Sequence, residues 1–338
     1  IAKSFVRWIR NTIGCQTPKI AIGTDSRLSG ATIKNAFIKG AVEAGADIID
    51  CSLASTPAMF MTTVNDDVQA TASVMVTASH LPYNRNGLKF FTPKGGLDKR
   101  DIADILDIAE RGDYAYGGAA GHSATLDFMT IYSSHIADYI CQGVHADDYE
   151  HPLKGMHIVV DAGNGGGGFF ERILSQLGAD TKGSQFLDPD GRFPNHIPNP
   201  ENDEAMASVC RAVADSNADL GVIFDTDVDR SAIIGRNGEP INRNALIALI
   251  ASVILEEHPH STIVTDSVTS DGLTDFISRK GGRHHRYRRG YKNVINEGIR
   301  LNEAGEECWL AIETSGHAAL RENYFLDDNG KPYRTDEE

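Results

Sequence analysis

Short apolar runs of strand length alternate with helically spaced apolar positions along the whole chain, and this alternation restricts the fold more than any other feature. A helix between two strands lets the second return parallel to the first, so repeated β-α-β spacing predicts α/β architecture. Lys19-Ile20-Ala21-Ile22-Gly23 reads as the first strand, with Ser29 as the N-cap of a helix whose Ile33, Phe37 and Ala41 share a face. Asp47-Ile48-Ile49-Asp50 supplies the next strand, a helix near Pro57 to Val64 leads into strand Ser73-Val74-Met75-Val76, and Ile102, Ile105 and Ala109 mark a third helix. The plan restarts with strand Met156 to Val160, helical spacing at Phe170, Ile173, Leu174 and Leu177, a helix from about Asp203 to Asp215, and strand Leu220 to Phe224. It starts again with helix Ala245 to Leu255, strand Thr262 to Thr265, helix Leu273 to Ile277 and strand Trp309 to Ile312. A chain of 338 residues exceeds one ordinary core. The expected organisation is three tandem mixed α/β domains of similar topology, at 1–150, 151–240 and 241–338.

The run Asp161-Ala162-Gly163-Asn164-Gly165-Gly166-Gly167-Gly168 fits a dinucleotide-binding fingerprint at Gly163, Gly165 and Gly168, but consecutive glycines fit many templates. No acidic residue ends a strand about twenty residues on, where Ser184-Gln185-Phe186 stands. A tight strand-to-helix turn accounts for the run better.

Chemistry concentrates in two segments. Asp225, Asp227 and Asp229, followed by Arg230, stand where the strand ending at Phe224 gives way to its loop. Ionised carboxylates are hard oxygen donors that repel one another unless a cation lies between them, and this donor type suits Mg²⁺. On a straight strand they would be spaced about 6 to 7 Å apart, so the backbone must curl to bring them onto one ion. The second segment, Val76 to Phe90, leaves a strand, turns through Pro82 and Asn86-Gly87 and re-enters extended chain. The turn puts Ser79 at the carboxyl end of a strand, where open α/β sheets bind ligands, and folds Lys89 back toward it. A serine beside a lysine and a metal can carry a phosphoryl group while the amine moves a proton.

The formal net charge of −15 argues against nucleic-acid or anionic-membrane partners, which need a broad basic field. Cys15, Cys51, Cys141, Cys210 and Cys308 are scattered, as in a reduced, intracellular protein without a disulfide frame. No run reaches the length of about 18 apolar residues that spans a bilayer. A cytoplasmic location follows as the expectation, or an organelle if a targeting peptide preceded Ile1.

Taken together, Thr77-Ala78-Ser79-His80, Asn86-Gly87-Leu88-Lys89, Asp161 to Gly165, Phe193 to Pro200, Asp225 to Arg230 and Glu313-Thr314-Ser315-Gly316-His317 resemble the α-D-phosphohexomutase superfamily of phosphoglucomutases and phosphomannomutases. The resemblance runs in family order from about residue 19 to residue 328. It implies domains set around a cleft, and a Mg²⁺-dependent exchange between hexose 1-phosphate and 6-phosphate, of glucose or mannose, through a hexose 1,6-bisphosphate. On matching positions it makes Ser79 the phosphorylated serine and gives Mg²⁺ to Asp225, Asp227, Asp229 and Ser79. Lys89 becomes the proton carrier, with His80 and Arg230 supporting the phosphoserine. Glu313, Ser315 and His317 would take sugar hydroxyls beside Gly290, Tyr291 and Lys292, and Arg27 enters as a further substrate-side arginine with a partly structural role.

The chain departs from the family pattern in places. Leu81 stands where the family usually has Asn, and Arg289 replaces a commonly apolar residue. An arginine-glycine segment is missing ahead of the first strand, and no fourth-domain phosphate grip follows Phe325-Leu326-Asp327-Asp328, whose polar tail continues no domain. Three domains without the fourth are therefore expected. These departures motivate a different reading, a catalytically silent sugar-phosphate-binding homologue; a simple phosphatase on the same metal site is a third. Oligomeric state is not readable.

Overall fold

The structure, a computed structural model, describes residues 1–321, and the tail discussed above lies outside them. One compact unit runs from Ile1 to Glu239 and a second begins at Pro240. The first unit opens with α1 (Ala2–Thr12), β1 (Lys19–Thr24), α2 (Gly30–Glu43), β2 (Asp47–Leu53), α3 (Thr56–Met61), β3 (Ala72–Val76), β4 (Leu88–Thr92), β5 (Gly95–Gly96), α4 (Lys99–Arg111) and β6 (Ser123–Thr125). It continues with α5 (Phe128–Val144), β7 (Ile158–Asp161), α6 (Gly168–Gln176), α7 (Asp203–Ser216), β8 (Leu220–Phe224) and β9 (Ser231–Gly235). The second unit holds α8 (Arg243–Glu257), β10 (Thr262–Asp266), α9 (Asp271–Arg279), β11 (Arg283–Tyr287), α10 (Tyr291–Glu303), β12 (Leu310–Ile312) and β13 (Ala318–Leu320).

Among the described residues the strands form a six-stranded sheet, β5-β4-β3-β1-β2-β6, a three-stranded sheet, β7-β8-β9, and a four-stranded sheet, β11-β10-β12-β13. Each is mixed: a parallel core is extended by an antiparallel strand, β4 on β3, β9 on β8 and β13 on β12. The middle sheet gains a parallel fringe where residues 180–185 bridge to β7 at His157–Asp180 and Asp161–Gln185. With that fringe counted, all three share one order in space: second strand, first, third, then the antiparallel fourth. The similar topology expected from the repeated sequence plan is present.

In every repeat, one loop joins the third strand to its antiparallel neighbour. These loops are residues 77–87, 225–230 and 313–317: the first two lie in the segments read for chemistry, and the third is the stretch that the family resemblance gave to the sugar. Each loop leaves the carboxyl end of a parallel strand, the end of the sheet at which open α/β folds bind ligands.

Packing against the first sheet explains α1, which the sequence reading passed over. Phe5, Val6, Trp8 and Ile9 are buried on one face of it, and the Phe5 ring lies 4.6 Å from that of Phe90 on β4. The helix α8 carries apolar residues all round, with Ile247, Ala251, Ile254 and Leu255 buried. Strand β11 was hidden by its charged sequence Arg-His-His-Arg-Tyr, which suits the edge it occupies beside β10. Ser29 does precede α2, but its side chain makes no cap bond; Oγ accepts instead from the Asn86 amide at 2.9 Å, tying the Ser79 turn to the start of α2. The helix expected near Pro57 to Val64 is α3, one turn and a half at Thr56–Met61. No helix among the described residues is long and apolar enough to cross a membrane.

Candidate active site

Ser79 follows β3 in a left-handed conformation, φ 52°, which costs a non-glycine residue about 1 kcal/mol or more. Hydrogen bonds hold it there. Its N–H donates to Thr77 Oγ1 at 2.9 Å, and Thr77 Oγ1 donates in turn to the buried Asp25 Oδ2 at 2.7 Å. The Ser79 carbonyl accepts from Arg27, whose Nη2 also reaches the Leu81 carbonyl at 2.7 Å while Nη1 reaches those of Pro82 at 2.7 Å and Arg85 at 3.3 Å. Nε completes the set on Asp25 at 3.0 Å, and both side chains of this ion pair are fully buried.

Arg27 thus holds the Ser79 turn and Asp25 through its side-chain nitrogens, the structural part of the role expected of it. The exposed Leu81 side chain contributes nothing to this scaffold, since only its carbonyl is held. Its departure from the family's usual Asn leaves the turn intact.

The acidic loop reaches the same place from β8. A left-handed Val228, φ 62°, makes the curl that a strand could not, and the carboxylates of Asp225, Asp227 and Asp229 come within 4.8 Å of one another. Glycines let it settle against the turn after β7. Gly166 donates its N–H to the Thr226 carbonyl at 2.8 Å, and a Cβ on Gly165 would lie 2.8 Å from that oxygen. The glycine run is thus the strand-to-helix turn expected, between β7 and α6, and the close approach of the acidic loop is what requires residues without side chains.

Ser79 Oγ donates to Asp225 Oδ2 at 3.1 Å, across 146 positions of sequence. Lys89 on β4 donates to Asp227 Oδ2 and Asp229 Oδ2, both at 2.7 Å. Burial raises the Asp225 carboxyl well above its ordinary range, reinforced by the neighbouring charges of Asp227 and Asp229. For Lys89, burial opposes the ammonium, but Asp227 and Asp229 outweigh it and raise its pKa. His80 is the opposite case. Burial and the nearby Arg230 guanidinium lower its pKa, and Arg230 Nη1 donates to Nδ1 at 2.7 Å, which needs an unprotonated nitrogen there.

The donor set fits a hard divalent cation. Its oxygens are carboxylates close enough to share one ion, and Asp227 Oδ1 is buried without a hydrogen-bond partner among the described residues. An anionic oxygen buried in this way is costly without a cation to meet it.

In the second unit, the 313–317 loop gathers its own polar cluster. Glu313 accepts from the Gly290 N–H at 2.5 Å and from Ser315 Oγ at 2.9 Å, while Ser315 Oγ lies 2.8 Å from His317 Nδ1. Tyr291 stacks on His317 with ring centroids 5.0 Å apart. Gly290, at φ 121°, allows the chain to enter α10 there, and Tyr291 and Lys292 form that helix's first turn. Asp266 at the end of β10 anchors the segment, accepting from both the N–H and the hydroxyl of Thr314 at 3.1 and 2.7 Å.

Sequence reasoning missed the anchors. Asp25 and Thr77, Asp266 and Thr314, and Thr56 against Asp227 are partners far apart in the chain, and nothing local to either member signals the pairing. Asp161 and His196, noted only as parts of matching stretches, are also structural. The His196 ring faces Asp161 Oδ2 at 3.0 Å through Nε2 and the Ile197 carbonyl at 3.0 Å through Nδ1.

Comparison with known proteins identifies the family of this fold. Family models described as "Phosphoglucomutase/phosphomannomutase, alpha/beta/alpha" domains I, II and III match residues 1–115, 132–238 and 242–331. A phosphomannomutase/phosphoglucomutase of Pseudomonas aeruginosa is 30% identical over 329 residues, covering 96% of this chain and 67% of that protein. A phosphoglucomutase of Neisseria meningitidis is 28% identical over 313 residues, covering 92% of this chain and 64% of its own length. The chain thus spans about two thirds of such relatives. A phosphoglucomutase/phosphomannomutase family structure from Burkholderia thailandensis superposes with a TM-score of 0.82 at 25% identity, covering 97% of this chain and 70% of that one. With all three α/β/α models in order, the chain belongs to the phosphoglucomutase/phosphomannomutase family of phosphohexomutase enzymes.

Proposed function

We propose that this protein interconverts the 1- and 6-phosphates of glucose or mannose through a phosphoserine at Ser79 and a hexose 1,6-bisphosphate. The observation that carries this reading is the 3.1 Å contact between Ser79 Oγ and the Asp225 carboxylate. It joins a hydroxyl able to carry phosphate to a donor set suited to a divalent metal.

Asp225, Asp227 and Asp229 would hold Mg²⁺ together with an oxygen of the phosphate on Ser79. When bound, Mg²⁺ neutralises the charge of the transferring phosphoryl group. The free hydroxyl of the hexose monophosphate attacks phosphorus, its P–O bond forming and its proton leaving to water as the bond to Ser79 Oγ breaks; in the return half-reaction the departing sugar oxygen regains a proton from water. Lys89, kept an ammonium by its two carboxylates, suits protonation of the departing Ser79 oxygen, and takes the proton back when Ser79 recovers the other phosphate. Arg230 donates to His80 Nδ1, which lies 3.4 Å from Ser79 Oγ, so the guanidinium adds positive charge near the phosphate that Ser79 would carry. Glu313, Ser315 and His317, with Gly290, Tyr291 and Lys292 beside them, offer donors and acceptors that a sugar ring could meet in either orientation between half-reactions.

The test is a pair of measurements on the protein and its Ser79→Ala variant: phosphate incorporation from glucose 1,6-bisphosphate, and turnover of glucose 1-phosphate with Mg²⁺. Loss of both in the variant is expected. Full turnover by Ser79→Ala would remove Ser79 from the reaction. Sugar-phosphate binding without conversion in the parent protein would favour a silent binding homologue, and stoichiometric release of inorganic phosphate a phosphatase.

A further inference from the structure

Thr56 opens α3, 171 positions before Asp227 in sequence, and touches that aspartate at two points. Its hydroxyl donates to Asp227 Oδ2, and its N–H donates to the Asp227 carbonyl at 2.8 Å. The residue is rigidly placed: Ser55 caps the helix through Ala58 N–H, and Pro57 fixes the backbone directly after it. Thr56 is buried, so its hydroxyl has no water to prefer over the carboxylate.

Asp227 has unequal oxygens. Oδ2 accepts from both Thr56 and Lys89, while Oδ1 is buried with no hydrogen-bond partner among the described residues. A carboxylate pinned through one oxygen cannot rotate about its Cβ–Cγ bond, so the other stays in place for a cation. Lys89 alone would pin it poorly: its ammonium is shared with Asp229 at the same 2.7 Å, and its long side chain is the one expected to move a proton. The threonine hydroxyl carries no charge and sits on a helix end.

We propose that Thr56 is a positioning residue for the cation site, holding Asp227 so that Oδ1 faces the metal. The inference rests on the reading of the 225–229 loop as the Mg²⁺ site. Outer-shell partners of this kind are worth about 10- to 100-fold in metal affinity.

The experiment is a titration of the full chain, without substrate, with Mn²⁺ followed by paramagnetic resonance and with Mg²⁺ by calorimetry. It compares the parent with Thr56→Val, Thr56→Ala, Thr56→Ser and Asp227→Asn. The expected result is affinity about 10- to 100-fold weaker in Thr56→Val and Thr56→Ala, near-parental affinity in Thr56→Ser, and loss in Asp227→Asn. Urea midpoints without metal identify a variant that fails to fold, in which case the remaining hydroxyl-free variant decides. Parental affinity in a folded hydroxyl-free variant overturns the proposal while leaving the metal site standing. A parent that binds neither ion overturns the metal-site reading and the proposal together.

Discussion

The serine at the centre of this site is held in a backbone conformation it would not choose, and a single arginine supplies most of the restraint. Arg27 bonds carbonyls from Ser79 to Arg85 and neutralises a buried Asp25. Replacing it with methionine leaves that carboxylate unpaired. Breaking a buried pair from one side costs about 3 to 5 kcal/mol, so Arg27→Met should lower the urea midpoint of the Ile1–Glu239 unit accordingly. A second residue-scale effect concerns pH. Burial opposes a charged His196, but the hydrogen bond and charge of Asp161 outweigh it, and the pKa is raised. The His196–Asp161 interaction therefore contributes fully below the unfolded value of about 6.5 and is lost as pH rises through the higher folded value. The thermal midpoint should fall between pH 6 and pH 9, and His196→Gln should remove that part of the fall. An unchanged slope in the variant would place the pH dependence elsewhere.

Three loops at one topological position, each between a parallel strand and its antiparallel neighbour, hold the candidate site residues, and the elements around them explain the sequence's oddest stretch. The glycines after Asp161 let a backbone pass within contact distance of Thr226. Gly165→Ala would push a Cβ to 2.8 Å from the Thr226 carbonyl and 2.9 Å from its Cα. Overpacking of this kind costs about 1 to 3 kcal/mol, and because the displaced residue stands between Asp225 and Asp227, Mn²⁺ affinity should drop as well. Element reading from the sequence did well where apolar residues recur through a long helix, on one face of α7 at Asp203–Ser216 and all round α8 at Arg243–Glu257, both within two residues of expectation at each end. It did poorly at β11, β13 and β6, which are short or charged strands at sheet edges. An edge strand is defined by its neighbour's free hydrogen-bonding groups, not by its own hydrophobic pattern.

At the scale of the whole molecule, the metal-ligand candidates all belong to the unit ending at Glu239. A ligand that binds only the folded state stabilises it by about 2.7 kcal/mol at a hundredfold excess over its dissociation constant. Saturating Mg²⁺ should therefore slow hydrogen exchange of the most protected amides in that unit by about a hundredfold, leave the unit beginning at Pro240 unchanged, and have no effect on Asp227→Asn. Equal protection of both units would indicate a different cation site. Much of this molecule was legible beforehand. The alternation of strands and helices determined the α/β class and the threefold plan, because burial imposes its period on residues close in sequence. Residue chemistry pointed to Ser79 and the three aspartates as candidates, because converging carboxylates repel one another unless a cation lies between them. Only the tertiary structure decided that Arg27 serves the serine's own loop, that Val228 makes the curl, and that Thr56 reaches Asp227. Those contacts join segments brought together by folding, and a hydrogen bond across 171 residues leaves no periodicity in either partner's neighbourhood.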